Sequence, residues 1–381
     1  MAQAGEALIT LRAESRTIEV NGKAATMLQI GRPDGVWGFA GEAGTRFRVN
    51  LENHLDEPTL VHWHGMTPPY QQDGVPDVSQ PALAPGGVYS YNFPLDIPGT
   101  YWMHSHREFQ EQRLMAAPLI VREPAEAGLD EQEVVVMLHD FTFRDPNEIL
   151  AELRAGGGHG MMHMDGSMGQ NQSMDMTMSR DEGMSMDGEL DHGDMDHDSM
   201  STDGMSMGGM AMDLNDIKFD AYLANDRTFD DPEVVRVEPG GRVRLRIING
   251  ASGTNFRIGL RGLDAVLIAV DGLPVAPVRG HYFPIAMAQR LDIQVNLPAG
   301  QGAYGVHAHR EGGMARTGII LATAGATVKK HLRQAGQAAP ALGLDLERQL
   351  SALQSLAPRP ADRRYHVALT GGMMSYDWGI D

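Results

Sequence analysis

The chain has 381 residues, enough for two or three domains with a sizeable core. Its formal charge is −19, and residues 159–213, with twelve acids against one Arg, carry −11 of it, so the acidity is local and argues against nucleic acid as a partner. There is no Cys, which rules out disulfides, and no apolar run approaches the length of a transmembrane helix.

From the N-terminus, Met1-Ala2-Gln3-Ala4 lacks the charged and apolar stretches of an export signal. Short alternating runs follow, separated by Gly and Pro turns: Leu8–Leu11, Phe47–Leu51, Thr59–Val61, Tyr89–Phe93, Thr100–Ser105 and Leu119–Val121. Regular spacing of such runs predicts an antiparallel sandwich or Greek-key barrel. Two of them carry His-x-His pairs, His62-Trp63-His64-Gly65 and Tyr101-Trp102-Met103-His104-Ser105-His106. In an extended strand residues i and i+2 share a face, so each pair presents two imidazoles side by side. Neighbouring strands would gather all four, and neutral imidazole is a favoured ligand of copper, zinc, iron and nickel. A zinc hydrolase would add an acid–His pair after the first motif, and Gly65-Met66-Thr67 supplies none.

Beyond Arg122-Glu123-Pro124-Ala125 a second unit opens with the strand Val134–Leu138 and a helix from Pro146 to Ala155, stopped by Gly156-Gly157-Gly158. Composition then changes. Between Met161 and Met212 lie 15 of the 25 methionines, among Asp, Ser, Gly and the histidines His159, His163, His192 and His197. Without period or bulky core residues, 159–213 is expected to be a disordered insert. Thioethers suit Cu(I), and Asp and His extend the range to Cu(II); a merely solvated low-complexity loop is the alternative. Strand patterns resume at Phe219–Leu223, Val235–Val237, Val243–Asn249 and Leu291–Val295. Gly241–Leu245 echoes Gly44–Val49, a weak internal repeat that suggests duplication. A third pair, His307-Ala308-His309, ends this unit, an Ala-rich stretch to Pro360 follows with a helix predicted at Leu344–Leu356, and Tyr365–Thr370 reads as a further strand.

The motifs HWHG and YWMHSH, with the intervening QQDGVPDVSQPALAPGGVYSYNFPL and the trailing QEQRLMAAPLIV, resemble the first cupredoxin domain of the multicopper oxidases, in particular the copper-resistance, laccase-like branch. The likeness covers most of residues 7 to 325. It implies an all-β chain of tandem cupredoxin-like Greek-key sandwich domains. Residues 1–125 would be the first and 126–325 the second, interrupted by 159–213. Residues 326–363 would be a connector with a helix, and 364–381 the opening of a third domain lacking nearly all of its length.

By the same resemblance His62 ligates a type 2 copper, while His64, His104 and His106 ligate the type 3 pair. Asp73 stands where the family often has an acid that delivers protons to bound oxygen; read from its neighbours, Gln72-Asp73-Gly74, it is as readily a turn residue. His307-Ala308-His309 resembles the oxidase C-terminal motif loosely, with Ala in place of the electron-transferring Cys, and reads as a remnant or an auxiliary site. A type 1 blue-copper centre needs a Cys thiolate, which this chain lacks, so the 381 residues alone are expected to be inactive. The expected function is a copper-dependent oxidoreductase of the periplasm or exterior, serving copper tolerance. It would take electrons from Cu(I) or phenolic donors and reduce O2 to water. The alternative is a non-catalytic protein that sequesters copper ions.

Overall fold

The computed structural model describes residues 8–157, 215, 217–372 and 376–381. The predicted Met-rich insert 159–213, with its expected copper binding, lies outside the described residues. The first strands in chain order are β1 (Ile9–Val20), β2 (Lys23–Gly31), β3 (Phe39–Glu42), β4 (Arg46–Asn53), β5 (Val61–His64), β6 (Val88–Pro94), β7 (Gly99–Ser105) and β8 (Ala116–Arg122). They make two sheets, ordered β2-β1-β4-β6 and β3-β8-β7-β5. Because β4 is parallel to β1 but antiparallel to β6, and β3 is parallel to β8, the chain crosses between the sheets in the Greek-key manner. Alternation decides which face is inward. Along β4, Phe47, Val49 and Leu51 are buried while Arg46, Arg48 and Asn50 are not. The Phe47 ring lies 4.7 Å from each of Phe39, Trp63 and Phe93, centroid to centroid. Burying one such ring is worth about 1.5–3 kcal/mol.

A second sandwich repeats the scheme. Its elements are β9 (Gln132–Phe141), the helix α1 (Pro146–Glu152), β10 (Ala221–Ala224), β11 (Val234–Val237), β12 (Arg242–Asn249), β13 (Phe256–Gly259), β14 (Asp264–Val270), β15 (Leu273–Arg279), β16 (Tyr282–Ile285), β17 (Arg290–Asn296), β18 (Ala303–Arg310) and β19 (Arg316–Thr323). The sheets run β10-β9-β12-β17-β14-β15 and β11-β19-β18-β13-β16. β12 is parallel to β9 and antiparallel to β17, as β4 is to β1 and β6. The sequence echo between Gly241–Leu245 and Gly44–Val49 thus marks one structural position used twice. In α1 the Asp145 carboxylate accepts from the Asn147 backbone N–H and Pro146 fills the first turn, a normal cap; a π-turn over Leu153–Gly157 follows. Among the described residues no helix is long and apolar enough to cross a membrane.

The helix predicted at Leu344–Leu356, and with it the helical connector in 326–363, is corrected by the structure. A single 3-10 turn forms at Glu347–Gln349. Beyond it the chain extends along β15: Ala276 N–H donates to the Ser351 carbonyl at 2.7 Å, Leu353 N–H donates to the Pro274 carbonyl at 3.3 Å, and Ala352 bridges Val275. An open sheet edge offers unpaired backbone groups, and pairing them outweighs a helix propensity of a few tenths of a kcal/mol per residue. The strand predicted from Tyr365 begins only at Leu369, as β20 (Leu369–Gly372) of a hairpin with β21 (Asp377–Ile380).

Of the strands that depart from alternation, β7 does so throughout. Every residue of β7 is buried, because each face meets a core. Tyr101 and Met103 enter the first sandwich, while Trp102 packs with Ala116 against Met137 and Ile248 of the second. Thr100 donates to Asp292, and around it Arg246, 1% exposed, binds Asp292 at 2.9 Å, Glu133 at 2.7 Å and Glu126 at 2.8 Å. The histidine strand is therefore clamped by a buried ionic network from the neighbouring sandwich.

Candidate metal centre

β5 and β7 are antiparallel neighbours with His62 opposite His104 and His64 opposite Trp102. His106 follows β7, its N–H donating to the Leu60 carbonyl at 3.3 Å. This register brings the four predicted imidazoles together. Ring centroids are 4.5 Å apart for His62–His106, 4.9 Å for His104–His106, 5.4 Å for His64–His104, 5.7 Å for His62–His104 and 6.0 Å for His62–His64. Between the two histidines of β5, Trp63 points into the core and its Nε1–H donates to the Gln72 carbonyl at 2.9 Å. That bond pins the loop after His64 to the strand.

The loop depends on two glycines. At Gly65, φ +88°, a Cβ would stand 2.4 Å from Arg290 Nη2; at Gly74, φ +78°, it would stand 1.9 Å from the Val61 carbonyl oxygen. A side chain at either position would push the loop off β5. Held there, Asp73 meets His62: the imidazole Nδ1–H donates to the Asp73 carbonyl at 2.6 Å, and the Asp73 carboxylate lies 3.5 Å from the same nitrogen. Asp73 thus stands on the outer side of His62, one-third exposed, and its best contact is through the backbone. His104 is fixed likewise. Its Nδ1 lies 3.2 Å from the Ser105 carbonyl and 3.0 Å from Glu111 Oε2, both acceptors, so the hydrogen belongs on Nδ1. In both rings Nε2 is left with its lone pair, and His104 Nε2 faces His64 Nδ1 at 3.3 Å.

Burial sets the charge. The pKa of His64 is pushed down to about 3 by burial and then by the Arg290 guanidinium, and that of His62 is lowered mainly by burial. His106, at the exposed rim, is pushed down to about 4 by burial of its inner edge and by His104. At neutral pH these rings are uncharged, the form that ligates metal. A nitrogen–nitrogen gap of 3.3 Å suits one ion bonded to both at about 2.0–2.1 Å. Among the described residues, however, no three His, Cys, Asp or Glu side chains are arranged around one point so as to hold an ion. The four rings offer donors singly and in pairs. Imidazole donors of this kind suit copper.

Three contributors were given no role from the sequence. Trp102 forms a wall, stacked on His104 at 4.2 Å and on His64 at 5.0 Å. Arg290 comes from the second sandwich, donating to the carbonyls of Thr100, Ala288 and Asp271 at 3.2, 2.9 and 3.0 Å. Glu111 is the third, and its only signal was a place inside QEQRLM.

The pair His307-Ala308-His309 lies on β18, which is paired with β13 much as β7 is with β5, but the partner strand differs. Opposite His307 and His309 stand Gly259 and Arg257, where β5 carries histidines of its own. His331 lies 5.5 Å from His307, yet His307 Nε2 is buried without a partner among the described residues and would be 2.2 Å from a Cβ on Gly305. Among the described residues the duplicated pair gathers no second four-imidazole patch.

Domain models described as multicopper oxidase match residues 39–126 and 132–328. Multicopper oxidase MmcO of Mycobacterium tuberculosis is 29% identical over 98% of this chain and 68% of its own length. A copper resistance protein A homolog of Pseudomonas syringae pv. tomato is 32% identical over 80% of this chain, which spans only 49% of that relative. Among solved structures, the laccase from Botrytis aclada superposes with a TM-score of 0.61 at 21% identity, over 86% of this chain and 54% of its own; it shows a shared fold of cupredoxin-like sandwiches.

Proposed function

Since the chain belongs to the multicopper oxidase family, we propose that His62, His64, His104 and His106 are copper ligands, His62 at the type 2 position and the other three at the type 3 pair. Bound copper would supply one-electron transfer and dioxygen binding. The chain's own residues supply the frame. The Asp73 and Ser105 carbonyls select the tautomers of His62 and His104, Trp102 walls the rings from the second sandwich, and Arg290 covers the turn at Gly65. Asp73, exposed at the rim, is assigned the passage of protons from solvent. On this reading the protein serves a copper-dependent oxidation of Cu(I) or phenolic donors coupled to reduction of O2 to water. The setting is copper tolerance in the periplasm or outside the cell.

The convergence of four imidazoles on and beside two paired strands carries the reading. A second one, copper binding without turnover, is favoured by a specific observation: these 381 residues contain no thiolate for a type 1 site. One experiment addresses both. Loading the chain with Cu(II) should give imidazole-nitrogen hyperfine structure in the electron paramagnetic resonance spectrum, lost in a His62→Ala/His104→Ala variant. No intense thiolate-to-copper band and no oxygen uptake with a phenolic donor are expected from these residues alone. An unchanged spectrum in the variant would place the copper elsewhere; robust oxygen uptake would refute the inactivity.

A further inference from the structure

Resting on that copper-ligand reading, we infer that Glu111 is a positioning residue for His104, holding the ring's outer nitrogen and strengthening its inner one as a metal donor. His104 has two nitrogens with opposite surroundings. Nδ1 faces Glu111 Oε2 at 3.0 Å and the Ser105 carbonyl at 3.2 Å, whereas Nε2 faces His64. The neutral carbonyl suffices to choose the tautomer. The carboxylate adds a full negative charge behind the ring, which polarises the imidazole toward its Nε2 lone pair, as outer carboxylates do for metal-bound histidines.

The position of Glu111 is built rather than incidental. The turn that carries it, Arg107–Leu114, includes left-handed backbone at Glu108 and Leu114. Its buried Gln110 side chain accepts from Thr59 Oγ1 at 2.7 Å and Ser105 Oγ at 2.8 Å, and donates to the Pro58 carbonyl at 3.0 Å. Leu114 N–H closes on the Glu111 carbonyl at 2.9 Å. These bonds fix the backbone from which Glu111 reaches β7. The other acid, Asp73, reaches His62 chiefly through its backbone, so the two acids are not equivalent.

The test uses the full chain and Glu111→Gln, which keeps the shape and removes the charge. Cu(II) affinity, measured by chelator competition, should fall by about 10–100-fold. In the copper-free protein, imidazole NMR should show the His104 resonances shifted and those of His62 in place, with the thermal midpoint unchanged. Asp73→Asn, which spares the carbonyl, should lose less affinity than Glu111→Gln. If Glu111→Gln does not fold, Glu111→Asp is read in its place, since the shorter side chain withdraws the carboxylate. Parent-like affinity and His104 resonances in the folded variant would overturn the inference and leave the four-histidine reading standing. A parent chain whose copper is insensitive to His62 and His104 would overturn both.

Discussion

At the scale of single residues, the centre depends on small groups as much as on the imidazoles. Gly74 is the sharpest case, since its left-handed backbone and its contact with the Val61 carbonyl each exclude a side chain. Gly74→Ala should therefore destabilise the chain by about 1–3 kcal/mol, from backbone strain and overlap together. It should also weaken copper binding, because the displaced loop carries the carbonyl that orients His62. Denaturant melts and a copper titration of the same variant would check this; a variant as stable as the parent would mean the loop simply shifts.

At the scale of elements, β9 brings a titratable group into the seam between the sandwiches. His139 is buried, neither ring nitrogen has a hydrogen-bond partner among the described residues, and burial pushes its pKa down to about 4, against a smaller upward pull from Asp226. The folded value lies below the unfolded one of about 6.5, so the unfolded chain takes up the proton first. The contribution is present in full above about pH 6.5 and is lost as pH falls toward 4, on the order of 3 kcal/mol. His139→Leu should flatten stability against pH in that window; equal slopes would show that His139 does not govern it. Elements differ in how readable they were. In the first sandwich β4, β6 and the runs carrying both His-x-His pairs were legible from alternation, whereas β2 and β3 were not marked by it. Alternation could not forecast that both faces of β7 are buried, the second against another sandwich, nor the extended path near Ala352, which answers to the edge of β15. Glu111 and Arg290 stayed hidden for a related reason: each reaches the histidines through a turn or a neighbouring sandwich, with no spacing that links them in sequence.

At the scale of the whole molecule, the two sandwiches are joined through charge as well as apolar surface. The buried Arg246 meets Asp292, Glu133 and Glu126, so replacing it takes from the buried Asp292 one of its two cations, Arg244 being the other. Arg246→Met should cost about 3–5 kcal/mol, read from the denaturation midpoint, and a loss below about 1 kcal/mol would mean that Arg244 takes over. Seen from β7, the join also limits how this architecture can be reshuffled. A strand that is core to two sandwiches ties the ancestry of one to the other: a first sandwich transplanted onto a foreign second one would bring its histidines but leave Trp102 and Thr100 facing the wrong neighbours. The copper-ligand strands are thus poorly portable, and substitutions along β7 are acceptable only in step with those along β9, β12 and β17.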